Sequence, residues 1–248
     1  MNVMNLIWSV FLGIVQGLTE FLPVSSSGHL VILQHFIPGF SQPGVLFDVI
    51  LHLGTVFSVI YFFRKNIIRY ILSNFWIIFI GTIPAGIIGF FFNDFFESMF
   101  GNIRLVGFAL LITAFLNHLT YKAKEKGEKI SFGKSLFVGA AQAIAIIPGI
   151  SRSGSTIFAG SILGIDKKKA AEFSFMLSIP AVLGANILQF FKYRNFLSFE
   201  VVPYSIGFLF SFLFGVIAIK VVLRNLSTKG FKYFAYYALL VGLLALII

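Results

Sequence analysis

The sequence predicts an all-α polytopic membrane protein, built as an inverted-topology internal repeat with six transmembrane helices and two re-entrant helical hairpins. Three observations carry that prediction. Of the 248 residues, 58% are hydrophobic and 11% charged, with a mean hydropathy of +0.95. Soluble domains carry about 25% charged residues, and several apolar runs here reach the roughly 20 residues that a bilayer crossing needs. The second observation is self-similarity at a constant shift of 126 residues, the kind of signal that is sought before any other. The third is the uneven placement of lysine and arginine between the apolar runs.

Under the 126-residue shift, Gly13 and Gln16 fall on Gly139 and Gln142, and Ser25, Ser27 and Gly28 on Ser151, Ser153 and Gly154. Phe47 meets Phe173, Leu51 meets Leu177, and Gly81 and Gly89 meet Gly207 and Gly215, all without a gap. Most of the weight rests on "SSSG" against "SRSG", because glycine and apolar matches come cheaply in this composition. The whole chain, 1–248, reads as a single membrane domain, with 1–121 as the first repeat and 135–248 as the second.

Each repeat begins with an apolar segment interrupted by proline, glycine and serine, at 4–36 and 135–164. In the first, Pro23 and three serines stop the run, and the apolar stretch 29–37 is too short to cross. A hairpin that enters and leaves on one side fits better, since irregular backbone at membrane depth is tolerated only against protein or a water-filled cavity. Three runs of spanning length come after each hairpin: 45–63, 73–92 and 104–121 in the first repeat, then 170–190, 203–223 and 233–248 in the second.

Three spans per half invert the second half relative to the first. One face then carries fourteen basic residues, including Arg64, Lys65, Arg69, Lys122, Lys134, Lys167 and Arg224, and the other only Arg104, Lys192 and Arg194. By the positive-inside rule the rich face is cytoplasmic and both termini are outside. The net charge of +10 therefore reports orientation, not nucleic-acid binding. Absence of cysteine excludes disulfides, thiolate metal sites and cysteine nucleophiles. The N-terminus lacks a basic n-region and a small-residue cleavage site, so it reads as mature sequence.

The chemistry gathers at the two interruptions, whose tips inverted-repeat architectures bring together near the membrane midplane. The first reads "QGLTEFLPVSSSGHL" (16–30). Gln16 and Glu20 share a helical face at i, i+4. Ser25, Ser26 and Ser27 then precede a new apolar run, where serine caps a helix and its free N–H groups form an anion site. Gly28 lets a ligand approach the backbone, and His29 adds a group of the kind that can titrate near neutral pH. The second, "PGISRSGST" (148–156), supplies hydroxyls from Ser151, Ser153, Ser155 and Thr156 and a guanidinium fork from Arg152. An arginine near mid-membrane costs on the order of 3 kcal/mol on insertion scales and is read as functional by default. One cation, one carboxylate, one imidazole and many hydroxyl and amide donors suit a phosphate or diphosphate on a lipid tail. Glu20 and His29 are then available for proton transfer or nucleophilic attack.

These stretches, together with "EFSFMLSIP" (172–180), resemble the undecaprenyl-diphosphatase family, the bacitracin-resistance type of membrane phosphatase, along essentially the whole chain. The resemblance implies hydrolysis of undecaprenyl diphosphate to undecaprenyl phosphate and inorganic phosphate, recycling the lipid carrier of cell-wall precursors. It implies a bacterial cytoplasmic-membrane location, with the site opening outward, and a divalent cation, magnesium or calcium. The functional positions it implies are Glu20, Ser26, His29, Ser151, Arg152 and Thr156, with either Ser26 or His29 as nucleophile. Ser25, Ser27 and Ser153 join the substrate-binding set. The family's first carboxylate position is Gln16 here, which leaves Glu20 and Gln16 as the candidate metal ligands and weakens a two-carboxylate site.

Plainer roles are expected elsewhere. His35, His52 and His118 read as packing or interfacial residues, and the 33 phenylalanines as lipid-facing or core. Asp48 and Glu172 read as helix-start carboxylates facing the macrodipole, with Glu172 also a candidate contact of the second tip. A second family of lipid phosphatases is set aside because its lysine–arginine element is missing. The rival function is a transporter or flippase of a lipid phosphate or other anion, since broken helices in inverted repeats are transporter architecture.

Overall fold

The computed structural model describes residues 6–194, 201–225 and 228–248; residues 4 and 5 of the first predicted hairpin lie outside them. Among the described residues all regular structure is helical. The first hairpin is α1 (Leu6–Glu20) and α2 (Ser26–His35), followed by α3 (Leu46–Phe62), α4 (Ile67–Ser73), α5 (Phe75–Phe91), α6 (Asn93–Met99) and α7 (Ile103–Lys122). The second hairpin is α8 (Phe132–Ile144) and α9 (Arg152–Ile162), followed by α10 (Lys167–Tyr193), α11 (Val201–Asn225) and α12 (Thr228–Ile247).

The six predicted spans correspond to α3, α5, α7, α10, α11 and α12. Four of these are long and apolar enough to cross alone, and α3 and α5 qualify together with the short helices after them. The hairpin arms do not: α1, the longest, has 15 residues, or about 22 Å at 1.5 Å per residue, against a hydrocarbon core of about 30 Å. The chain is a multi-pass membrane protein. The short helices α4 and α6 were not expected; they turn away from α3 and α5 by 98° and 80°. Polar residues mark both bends, Arg64, Lys65 and Asn66 before α4 and Asn93 and Asp94 at the start of α6, and the predicted spans end there at 63 and 92.

The packing repeats under the same 126-residue shift. A Cβ on Gly13 of α1 would lie 2.5 Å from the Gly207 carbonyl of α11, and one on Gly139 of α8 would overlap the Gly81 carbonyl of α5. The shift carries Gly13 to Gly139 and Gly81 to Gly207, so one backbone-to-backbone crossing is made twice. Each hairpin therefore leans on a span of the opposite repeat. The α7–α12 and α3–α10 pairs are each formed from the two copies of one element.

Phe21, Ile157, Phe173, Phe175, Leu177 and Ile219 form the main buried cluster around the hairpins. Phe79, Phe91 and Phe108 stand exposed on the periphery, as lipid-facing residues do. On the basic side, the Gly164 carbonyl accepts the Lys126 and Glu128 N–H groups. Buried Lys167 donates to the Ala123 carbonyl at 2.9 Å, which ties the inter-repeat loop to the end of the second hairpin.

Candidate active site

The two tips meet. In the first, Pro23 has no N–H to continue α1 and its ring fixes φ near −65°, so the chain reverses at Ser25, which takes φ 66°. It is the one non-glycine residue with positive φ among those described. In the second tip the equivalent of Pro23 is Gly149, which takes φ 96° itself and leaves Ser151 at −70°. Both serines nevertheless cap the following helix in the same way. Ser25 Oγ accepts from Gly28 N at 3.2 Å and Ser151 Oγ from Gly154 N at 3.0 Å, and each lies 3.2 Å from the hydroxyl two residues on.

Contacts between the tips are direct. Ser153 Oγ donates to the Leu22 carbonyl at 2.9 Å, and Gly149 N–H points to Ser27 Oγ at 3.4 Å. A Cβ on Gly28 would sit 3.2 Å from Gly149 Cα, and one on Gly154 3.4 Å from Pro23 Cβ. Glycine at each helix start is what allows this approach.

Glu20 lies where the tips join, nearly buried. Its Oε1 accepts from Arg152 Nη2. Its Oε2 accepts from Ser26 Oγ at 2.6 Å and Gln16 Nε2 at 2.9 Å. Arg152 also donates through Nη1 to the Ser174 carbonyl at 3.0 Å, and Thr156 Oγ1 donates to Ser174 Oγ at 2.7 Å. Ser174, not Glu172, is thus the α10 residue hydrogen-bonded to the second tip.

A cavity of about 380 Å³ opens over this cluster. Glu20, Ser25, Ser26, Ser27, Ser151 and Arg152 line its polar end, and Ala85, Gly86, Phe90, Ile146, Ala181 and Gly184 are among its apolar lining. Ser153 and Thr156 sit behind the wall, bonded to backbone and to Ser174. His29 is turned away from the cavity. Its Nδ1 faces the Ser25 carbonyl at 2.7 Å and therefore carries the proton, while Nε2 meets Tyr237 Oη at 2.7 Å with the rings stacked. The imidazole thus braces the carbonyl of the left-handed Ser25.

His52, expected to be a packing or interfacial residue, lines the cavity with Nε2 3.4 Å from Glu20 Oε2. Its Nδ1 donates to the Asp48 carbonyl at 2.7 Å. The repeat held a signal for this: Asp48 and His52 fall on Ser174 and Ser178, so both halves place polar residues at the same two depths of a span. Asp48 stands in the first turn of α3, as expected, and accepts from Gln34 at 2.5 Å and Gln42 at 3.2 Å.

For a divalent cation, the described residues form no group of three histidine or carboxylate side chains. They do offer Glu20 and the buried Gln16 Oε1, which has no partner in the protein. One carboxylate with an amide oxygen is donor chemistry that magnesium takes alongside substrate phosphates, but of the two only Glu20 lines the cavity.

Known proteins resemble this chain throughout. An undecaprenyl-diphosphatase of Syntrophotalea carbinolica is 40% identical over 255 residues, covering 96% of this chain and 97% of that protein. One from Halothermothrix orenii is 42% identical over 253 residues, with 96% of each covered. One from Carboxydothermus hydrogenoformans is 39% identical over 257 residues, covering 99% and 98%. Residues 9–244 match the family described as bacitracin resistance protein BacA, and the chain belongs to that family.

Proposed function

We propose that this protein hydrolyses undecaprenyl diphosphate to undecaprenyl phosphate and inorganic phosphate, regenerating the lipid carrier of cell-wall synthesis. The observation that carries this reading is the Ser26–Glu20–Arg152 cluster at the polar end of a cavity whose remaining wall is largely apolar. A diphosphate head fits the former and an isoprenoid tail the latter.

Arg152 and the N–H groups at the starts of α2 and α9 bind the diphosphate and stabilise charge on the transferred phosphoryl group. Ser26 Oγ attacks the terminal phosphorus as its proton passes to Glu20 Oε2, to which it already donates. The P–O bond to undecaprenyl phosphate breaks, and that group leaves with the proton from Glu20, which restores the carboxylate. Water, deprotonated with help from Glu20, then cleaves the phosphoserine, releasing inorganic phosphate and restoring the Ser26 hydroxyl. His29 positions Ser25 and does not touch the reacting atoms. Magnesium or calcium, held by Glu20, would neutralise charge on the diphosphate.

Asn93, Glu97 and Gln189 line the far end of the cavity, on the face that carries Lys192 and Arg104. The opposite face holds most of the basic residues, so the positive-inside rule supports a site that opens outward, with both termini outside.

Phosphate release from purified protein and a polyprenyl diphosphate, with and without magnesium or calcium, tests the reaction. Cation-dependent release is expected, with loss in Ser26→Ala and Arg152→Ala. Release at the wild-type rate from either variant would remove that residue from the mechanism.

A further inference from the structure

Neither hairpin tip holds itself in place. The first exposes the Pro23 carbonyl, the second the Gly149 carbonyl and the Ser151 N–H, and a single span satisfies all three. Asn117 Nδ2 donates to Pro23 O at 2.6 Å. Thr113 Oγ1 donates to Gly149 O at 2.8 Å and accepts from Ser151 N at 2.9 Å. Both side chains are fully buried, and they are one turn apart on α7. The repeat offers no second support of this kind, because the equivalents on α12 are Leu239 and Leu243, which are exposed.

From this geometry we infer that Thr113 and Asn117 are positioning residues that fix the first tip against the second, and so set Ser26 against Arg152. Ser151 caps the helix that begins at Arg152, and Pro23 lies three residues before Ser26. One rigid helix therefore fixes both the attacking hydroxyl and the guanidinium. The inference rests on the roles proposed for Ser26 and Arg152.

Kinetics with a polyprenyl diphosphate provide the test. A 1 Å misplacement of reacting groups costs about 100-fold, so Thr113→Val and Asn117→Ala are each expected to lower kcat about 10- to 100-fold with KM within about twofold. Thr113→Ser, which keeps a hydroxyl that both donates and accepts, is expected to restore kcat. The double variant is expected to lose little more than either single one, because one broken support already releases the spacing; two independent stabilising contacts would instead give additive losses. Wild-type kcat in a folded Thr113→Val or Asn117→Ala protein, or additive losses, would overturn the inference. Asn117→Ala leaves the second tip untouched and carries the test if Thr113→Val does not fold. If Ser26→Ala and Arg152→Ala are also active, it is the proposed mechanism that fails; if they are inactive while the α7 variants turn over normally, only the positioning role fails.

Discussion

Ser25 shows how one residue carries strain at this site. A left-handed conformation costs a non-glycine residue roughly 1–2 kcal/mol, and here it is held by a cap bond to Gly28 and by His29 on its carbonyl. Asparagine tolerates that conformation and also caps helices, so Ser25→Asn is expected to leave thermal stability within about 1 kcal/mol of wild type. Ser25→Val, which loses the cap and adds a branched Cβ, is expected to cost about 2–3 kcal/mol; thermal unfolding in detergent measures both. Arg152 bonds Glu20 and the Ser174 carbonyl through different nitrogens. A lysine ammonium cannot reproduce that planar fork, and Arg152→Lys is expected to lose at least about tenfold in phosphate release. Glu20→Gln keeps the shape but cannot take the Ser26 proton, and it too is expected to fail at every pH.

At the scale of elements, the two glycine crossings hold the hairpins. A Cβ at Gly13 would press on a backbone carbonyl that has no room to move, and overpacking of this kind costs about 1–3 kcal/mol. A Cβ at Gly86 on α5 meets nothing within 4 Å. Gly13→Ala is therefore expected to lower the unfolding midpoint, and Gly86→Ala to leave it unchanged. Most elements were legible in the sequence, since spans announce themselves by hydropathy and the hairpins by Pro23, Pro148 and the serine runs. The short helices α4 and α6 were not: polar residues mark where α3 and α5 end, but the seven-residue stretches beyond mix polar and apolar side chains and are far too short to read as spans. His52, Thr113 and Asn117 were missed for a different reason: single polar residues inside a span read alike whether they pack or serve a site. Only the fold shows that His52 faces Glu20 and that α7 reaches both tips. Glu20, Ser26 and Arg152 were legible because each stands out in an apolar context, whereas His29 stood out equally and faces Tyr237 instead.

For the molecule as a whole, duplication has produced a site whose halves are equivalent in position and different in chemistry. Ser26 and Arg152 are related by the 126-residue shift, each the first helical residue after its capping serine. The second repeat has no counterpart of Glu20, since Ile146 stands there. Under the proposed mechanism, divergence at a few paired positions suffices to turn a symmetric cradle into a catalyst with a distinct nucleophile, base and cation.

The crossing of α1 by α11 also imposes an order on the birth of the protein. Gly13 leaves the ribosome long before Gly207, and at roughly 5–20 residues per second the first hairpin waits on the order of ten seconds or more for the helix that seats it. For most of that interval Glu20 and its serines lack Arg152 as well as α11. The chain contains no cysteine, so a single Ser9→Cys reporter on the buried face of α1 can time the event. Nascent chains halted before residue 201 are expected to label with a thiol reagent, and chains extended beyond residue 225 to be protected. Such a waiting period makes the first hairpin the point at which membrane chaperones and quality-control proteases have their longest access to this enzyme.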